Sequence, residues 1–323
     1  MSVSASAADY IVDRRRLRRQ VTFWRLIALI VAALAVLALA YRFSGLADAS
    51  NQPHIARLAI RGVITGNEAT LRTIRDIAES KAVAAIITVS SPGGTTAGSE
   101  RLFDELRLLA AKKPVVAVVG TMAASGAYIA ALGADRIFVQ RNSLVGSIGV
   151  IIEFPNFSGL LDKIGVQLDE VKSSPLKAAP NGLTPTSEAA RAAMAALVAD
   201  SYDWFKGLVR DRRHLNDEEL AQVSDGRVFT GHQSLPLKLA DAIGGEREAI
   251  AWLESEKGVA KGLPVRDWLP KTSLGFSLLG SAASVADRFG LTALANLLKR
   301  GELAGDVQLL DGLVSLWQLP SGD

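Results

Sequence analysis

The sequence predicts a parallel α/β domain, and three observations predict it. Residues 82–90 and 114–119 are continuous apolar runs, the pattern of strands covered on both faces. Each run is followed by a stretch of helical periodicity. Between run and helix stands a turn rich in small residues, Ser91-Pro92-Gly93-Gly94 in the first case and Gly120 through Ser125-Gly126 in the second. Strand, turn and helix in alternation are what a parallel sheet with covering helices produces.

In chain order, residues 55–64 read as a strand, and 68–81 as a helix with Leu71, Ile74 and Ile77 on one face. The apolar strand 82–90 and a helix over 97–112 follow. After strand 114–119 comes an alanine-rich helix around 128–134, then a short strand at 136–140. Residues 154–165 contain a helix and 166–171 read as a strand. Residues 172–183 are irregular, because Pro175, Pro180 and Gly182 break any helix. A long helix spans 184–213 with Ser187 as its cap, and shorter ones cover 215–222, 232–239 and 246–256. From 262 to 323, apolar segments broken by glycine and serine read as a peripheral helical appendage.

The N-terminus carries Arg14, Arg15, Arg16, Arg18 and Arg19, then an apolar run that approaches the roughly 20 residues needed to cross a bilayer. The basic cluster places that end in the cytoplasm and the rest outside. The favoured division is a basic tail at 1–20, a transmembrane anchor at 21–42, a linker at 43–53, the main domain at 54–261 and the appendage at 262–323. Two other readings stand beside the anchor. One is a cleavable signal peptide, ending at Ala38-Leu39-Ala40 or Ala47-Asp48-Ala49, and the other is a buried soluble helix.

Composition excludes several classes of function. There is no cysteine among the 323 residues, so there is neither a disulfide framework nor a thiolate metal site. The three histidines, His54, His214 and His232, form no ligand pair at helical spacing, which argues against a zinc hydrolase and predicts no metal. No phosphate-binding or dinucleotide-binding glycine motif is present, and no cofactor is expected. The net charge of +3 is concentrated in the first twenty residues, which leaves little electrostatic support for nucleic-acid binding.

Ser125 admits two readings. It is a good helix cap before an alanine-rich helix. It is also a hydroxyl at a strand-to-helix turn, where a nucleophile can reach a cleft. The Gly-x-Ser-x-Gly elbow is absent, since Ala123 and Ala127 stand at the glycine positions, and no histidine is well placed as a base. A lysine can replace histidine if burial or a neighbouring charge keeps it neutral. Lys172 and Lys177, in the irregular loop, are the two candidates, and each can equally be a solvated loop residue. Within the same loop Ser174-Pro175-Leu176-Lys177 matches a rival Ser-x-x-Lys pattern, which would need a helix start and a Lys-Thr-Gly strand that the sequence lacks. The glycines at 93 and 94 can let backbone amides face an anion, or can simply make a tight turn.

Four segments occur in one order: Val89-Ser90-Ser91-Pro92-Gly93-Gly94, Met122-Ala123-Ala124-Ser125-Gly126-Ala127-Tyr128, Gly146-Ser147-Ile148-Gly149-Val150 and Asp225-Gly226-Arg227-Val228-Phe229-Thr230-Gly231. With them the chain closely resembles the bacterial signal peptide peptidase SppA family, serine peptidases related in fold to ClpP and the crotonases. The resemblance implies a ClpP/crotonase-like domain of repeated β-β-α units behind a membrane anchor. It implies Ser125 as nucleophile, Lys177 as general base, the amides of Gly94 and Gly126 as oxyanion donors and Ser147 as the residue that orients the lysine; Lys172 matches a lysine opening the same loop. The substrates implied are cleaved signal peptides and other hydrophobic peptides at the inner membrane, in contact with its lipid. The partner implied is more of the same chain, a homo-oligomer of eight with sites shared between neighbours. Two departures from the family pattern are Ala127, expected to narrow the cleft, and Ala178, where an aspartate is usual. A membrane-tethered scaffold without activity, and an acyl-CoA enzyme of crotonase type, are the other functions compatible with this fold.

Overall fold

The computed structural model describes residues 20–37, 52–270 and 314–316. The chain divides into two compact units, Met1–Gln52 and Pro53–Asp323. The first contains helix α1 (Gln20–Leu37), with a mean hydropathy of 2.1 and nothing in its unit burying it. At 1.5 Å per residue it is about 27 Å long, close to the thickness of a bilayer's hydrocarbon core.

The second unit is built on one nine-stranded sheet. Its centre is β1 (His54–Ile64), β2 (Ala82–Thr95) and β3 (Val115–Ala124), all parallel. Beyond β3 lie β4 (Arg136–Val139) and β5 (Leu144–Gly146), which share its outer edge in succession. The sheet is completed by β6 (Val228–Thr230) beside β5, β7 (Ala242–Ile243) beside β4 and β8 (Val265–Asp267) beside β1. The last strand, β9 (Val314–Leu316), runs antiparallel to the end of β2.

Successive residues of the central strands enter different cores, which explains their uninterrupted apolar character. Ile87, Val89, Val115, Ala117 and Val119 join the larger core with Leu71, Ile74, Leu102 and Leu106. Ile86, Val116 and Val118 join a smaller one with Ile55, Phe138 and Leu253. The larger core is covered by α2 (Glu68–Glu79) and α3 (Thr96–Ala110), capped by Asn67 and Thr95. It also holds α4 (Gly126–Ala131) and part of α6 (Glu188–Arg213), which Ser187 caps as expected. Between these two helices lies the short α5 (Ser158–Lys163), none of whose residues is buried. The rest are α7 (Asp217–Val223), α8 (Gly231–Ser234) and α9 (Glu246–Glu256). Arg57 clips β1 to both β8 and α9 through Asp267 (2.5 Å) and Glu246 (3.0 Å).

Four expectations change. Residues 166–171 form no strand: Val166, Leu168 and Val171 are exposed and no sheet edge is offered to them. The helix expected over 232–239 stops at Ser234, because Pro236 has no N–H to donate back into the helix. Strands β2 and β3 run five residues further than their apolar runs, so the glycine turn and the residues before Ser125 belong to the sheet. Within 262–323 the described residues supply two strands of the sheet, β8 and β9, where a helical appendage was expected. The remainder of that stretch, like the basic tail and the linker up to residue 51, lies outside the described residues.

Candidate active site

Ser125 joins β3 to α4 with φ 56° and ψ −120°, a conformation that costs a non-glycine residue about 1–3 kcal/mol. Its carbonyl accepts the first helical hydrogen bonds, from the amides of Tyr128 (2.8 Å) and Ile129 (3.1 Å). Its side chain makes no capping bond to that helix. Every residue of α4 is buried, and Tyr128 anchors it by donating its hydroxyl to the carbonyl of Leu239 at 2.8 Å. Burial pushes that phenol well above its usual range. Ala127 is fully buried and belongs to the larger core.

The strained turn is held from a neighbouring strand. The Ser125 amide donates to the carbonyl of Gly146 at 2.7 Å. Gly146, at φ 97°, adopts a backbone that favours glycine, and a Cβ there would come within 3.1 Å of Phe229. The next residue, Ser147, also has positive φ (53°), is nearly buried, and donates its amide to the Arg227 carbonyl at 2.8 Å. Arg227 in turn is fixed by Asp225, whose carboxyl it holds below the usual range. The Asp-Gly-Arg segment thus supports Ser147, and through β5 the Ser125 turn.

The glycine turn lies on the other side. Gly94 pairs with Ile64 of β1, and a Cβ on residue 94 would sit 1.8 Å from the Ile64 carbonyl oxygen. Only glycine permits that approach. Ser91 braces the turn from within, donating its hydroxyl to the Gly62 carbonyl (2.6 Å) and accepting from the Gly93 amide (3.1 Å). The register places Ser91 beside Ala123, so the Gly94 turn and Ser125 emerge at the same end of the sheet.

The two lysines behave differently. Lys172 is ion-paired to Glu170 at 2.6 Å, and that pair together with Asn181 holds the Glu170 carboxyl below its usual range. Lys177 is exposed, in a turn where its amide donates to the Ser174 carbonyl at 3.1 Å. That turn starts no helix, so the rival Ser-x-x-Lys pattern lacks the context it needs. The fold therefore gathers Gly94, Ser125, Gly126 and Ser147 at one sheet end and leaves Lys177 on a surface loop. No metal-binding cluster occurs among the described residues.

Sequence reasoning missed the supports of this site: the Ser91 hydroxyl and the carbonyls of Gly146 and Arg227. Serine immediately before Pro-Gly-Gly was a usable signal for the first. Backbone carbonyls carry no side-chain signature, so the other two had none.

A model of peptidase family S49 matches residues 107–260. Among related proteins, a candidate protease of Synechocystis sp. is 34% identical over 215 residues, covering 65% of this chain and 76% of its own. A candidate signal peptide peptidase SppA of Enterococcus faecium is 31% identical over 265 residues, covering 77% and 76%. Among solved structures, a membrane-bound stomatin-specific protease aligns over 68% of this chain and 99% of its own, at 16% identity and a TM-score of 0.47.

Proposed function

Because the chain belongs to peptidase family S49, we propose that it hydrolyses peptides with a Ser-Lys dyad of Ser125 and Lys177. The observation that carries the reading is the Ser125 backbone: strained, braced from β5, and with a side chain that takes no part in capping the helix it opens. Strain of this kind persists where the surrounding fold enforces it, and it clusters at reactive residues.

In this mechanism neutral Lys177 accepts the Ser125 hydroxyl proton as the oxygen attacks the peptide carbonyl carbon. The amides of Gly94 and Gly126 stabilise the oxyanion. Collapse breaks the C–N bond, and the lysine returns the proton to the departing amine. Water, deprotonated by the same lysine, then releases the acyl group. Ser147 orients the lysine.

Lys177 reaches the site from a neighbouring copy in a homo-oligomer, eight subunits being the number the family resemblance implies. The segment from α5 to Lys177 exposes Leu160, Ile164, Val171 and Leu176, apolar side chains that suit a subunit interface better than open water. Covering the loop would also desolvate the ammonium, the physical route to a neutral base. Helix α1 anchors the assembly in the inner membrane with the domain on the far side, and cleaved signal peptides and other hydrophobic peptides are the substrates.

The test is hydrolysis of hydrophobic peptides together with labelling by a serine-directed fluorophosphonate. Wild type should cleave and be labelled at Ser125, whereas Ser125→Ala should do neither and Lys177→Ala should not cleave. A folded, assembled wild type that is neither labelled nor active would make the chain a scaffold; full activity in either variant would exclude the dyad.

A further inference from the structure

Both ladders of β2 slip at the same place. Towards β1 the pairing passes from Arg61 with Ser90 to Val63 with Gly93, two steps along β1 against three along β2. Towards β3 it passes from Val89 with Val119 to Ser91 with Ala123, two steps along β2 against four along β3. Regular pairing is therefore interrupted on both edges of β2 just before the glycine turn, where Pro92 has no amide to give.

Side-chain hydroxyls stand in for the interrupted pairing. On the β1 side the fully buried Ser91 donates to the Gly62 carbonyl at 2.6 Å and accepts from the Gly93 amide at 3.1 Å. The Gly93 carbonyl is further away, at 3.4 Å, so the single hydroxyl proton belongs to Gly62. Both ends of this bridge are glycines at positive φ, 66° and 111°, and neither has a side chain of its own to hold it. On the β3 side Ser90 accepts the Thr121 amide at 3.3 Å and Ser143 donates to the Gly120 carbonyl at 2.5 Å.

The Gly94 amide lies in the peptide plane next to the one that Ser91 holds, and the pairing of Gly94 with Ile64 fixes the far side. We infer that Ser91 is a positioning residue for the oxyanion hole: by tying Gly93 to Gly62, its hydroxyl aims the Gly94 amide at the oxygen of the attacked carbonyl. Being fully buried, it acts through the turn and not on the substrate. Direction matters because an oxyanion donor that must turn during attack gives up much of its stabilisation. Loss of the hydroxyl frees the plane without removing any group that binds peptide. This rests on the reading of Ser125 as nucleophile and Gly94 as donor given above.

The experiment compares the full chain with Ser91→Ala, which removes one oxygen atom, in hydrolysis of a hydrophobic peptide and in binding of a peptide aldehyde. Ser125 Oγ adds to the aldehyde carbon, the carbon–oxygen π bond opens to an oxyanion and the serine proton passes to Lys177, so the aldehyde reports on the hole without hydrolysis. Ser91→Ala should lower kcat about 10- to 100-fold with KM within about twofold of wild type, and should weaken aldehyde binding by a similar factor. Ser91→Cys keeps the volume and a weak donor, so it should lie between the two, and it serves as the test if alanine prevents assembly. A merely structural loss would lower the active fraction and leave the affinity of the remainder unchanged. A kcat within about twofold of wild type, or a fall in kcat with aldehyde affinity unchanged, would overturn the inference. That failure differs from a failure of the peptidase reading, which would show instead as wild-type hydrolysis that Ser125→Ala leaves unchanged.

Discussion

The two regions that the proposed dyad would draw on are built in opposite ways. The end of the central sheet, with Gly94, Ser125 and Ser147, is buried and fixed by backbone bonds from three neighbouring strands. The segment from Ile151 to Leu183, with Lys177, makes a short helix with no buried residue and exposes one apolar side chain after another. The first region is buried within one chain, whereas the second leaves its short helix unburied. A nucleophile held in strained geometry needs a rigid frame, which a single sheet supplies. A lysine that must lose its proton needs a covered environment, which this loop acquires only if something else packs on it.

The sharpest way to break this comparison is to separate the two halves. Ser125→Ala and Lys177→Ala should each lower kcat for peptide hydrolysis by at least about 10³-fold. Equal mixing of the two variants before assembly should restore about a quarter of wild-type activity if serine and lysine come from adjacent copies of a ring. If the mixture stays inactive, both residues act within one chain and the contrast between the regions loses its meaning. Next in size is Gly94→Ala. Its methyl would collide with the Ile64 carbonyl in a part of the fold that has no room to give, costing about 3 kcal/mol or more in urea unfolding. A loss below 1 kcal/mol would show that the buried region is less rigid than described.

The loop should respond in the reverse sense. Leu160→Asp with Val171→Asp should dissociate the assembly, read by sedimentation, while changing the unfolding free energy of the domain by no more than about 0.5 kcal/mol. Loss of the fold instead would place those side chains in the core. The smallest effect is electrostatic and lies outside both regions, at the start of α9. Glu248 accepts the Gly245 amide at the start of α9 and pairs with Arg247, which lowers its carboxyl from the ordinary 4.5 to about 2. A carboxyl lowered on folding contributes stability that is fully present above its unfolded value and is lost as pH falls through its folded one. Chemical denaturation should therefore show wild type more stable than Glu248→Gln above about pH 4.5, with the gap closing towards pH 2. A gap independent of pH would assign the effect to shape instead of charge.

Much of the fold was legible because it rests on local patterns. The apolar runs at 82–90 and 114–119 announced covered strands, and Ser187 announced a helix start. The strand expected at 166–171 failed because alternation of apolar residues is only half of a strand. The other half is an edge to pair with, and none is offered there. For the same reason a stretch read as peripheral helix supplied two strands, since β8 and β9 are short and are defined by the partners they find in β1 and β2.

At the site, the sequence by itself determined which residue types meet a turn: a serine opening an alanine helix, two glycines ending a strand, a serine after Gly146. Those identities follow from steric rules that act within a few residues, so they can be read from order alone. Tertiary structure decided the rest. It placed the Ile64 carbonyl where only glycine fits, left the Ser125 side chain out of the capping of its own helix, and laid Ser315 beside Gly94. These arrangements join residues far apart in the chain through backbone pairing, and pairing is chosen by the whole sheet, not by any one segment within it.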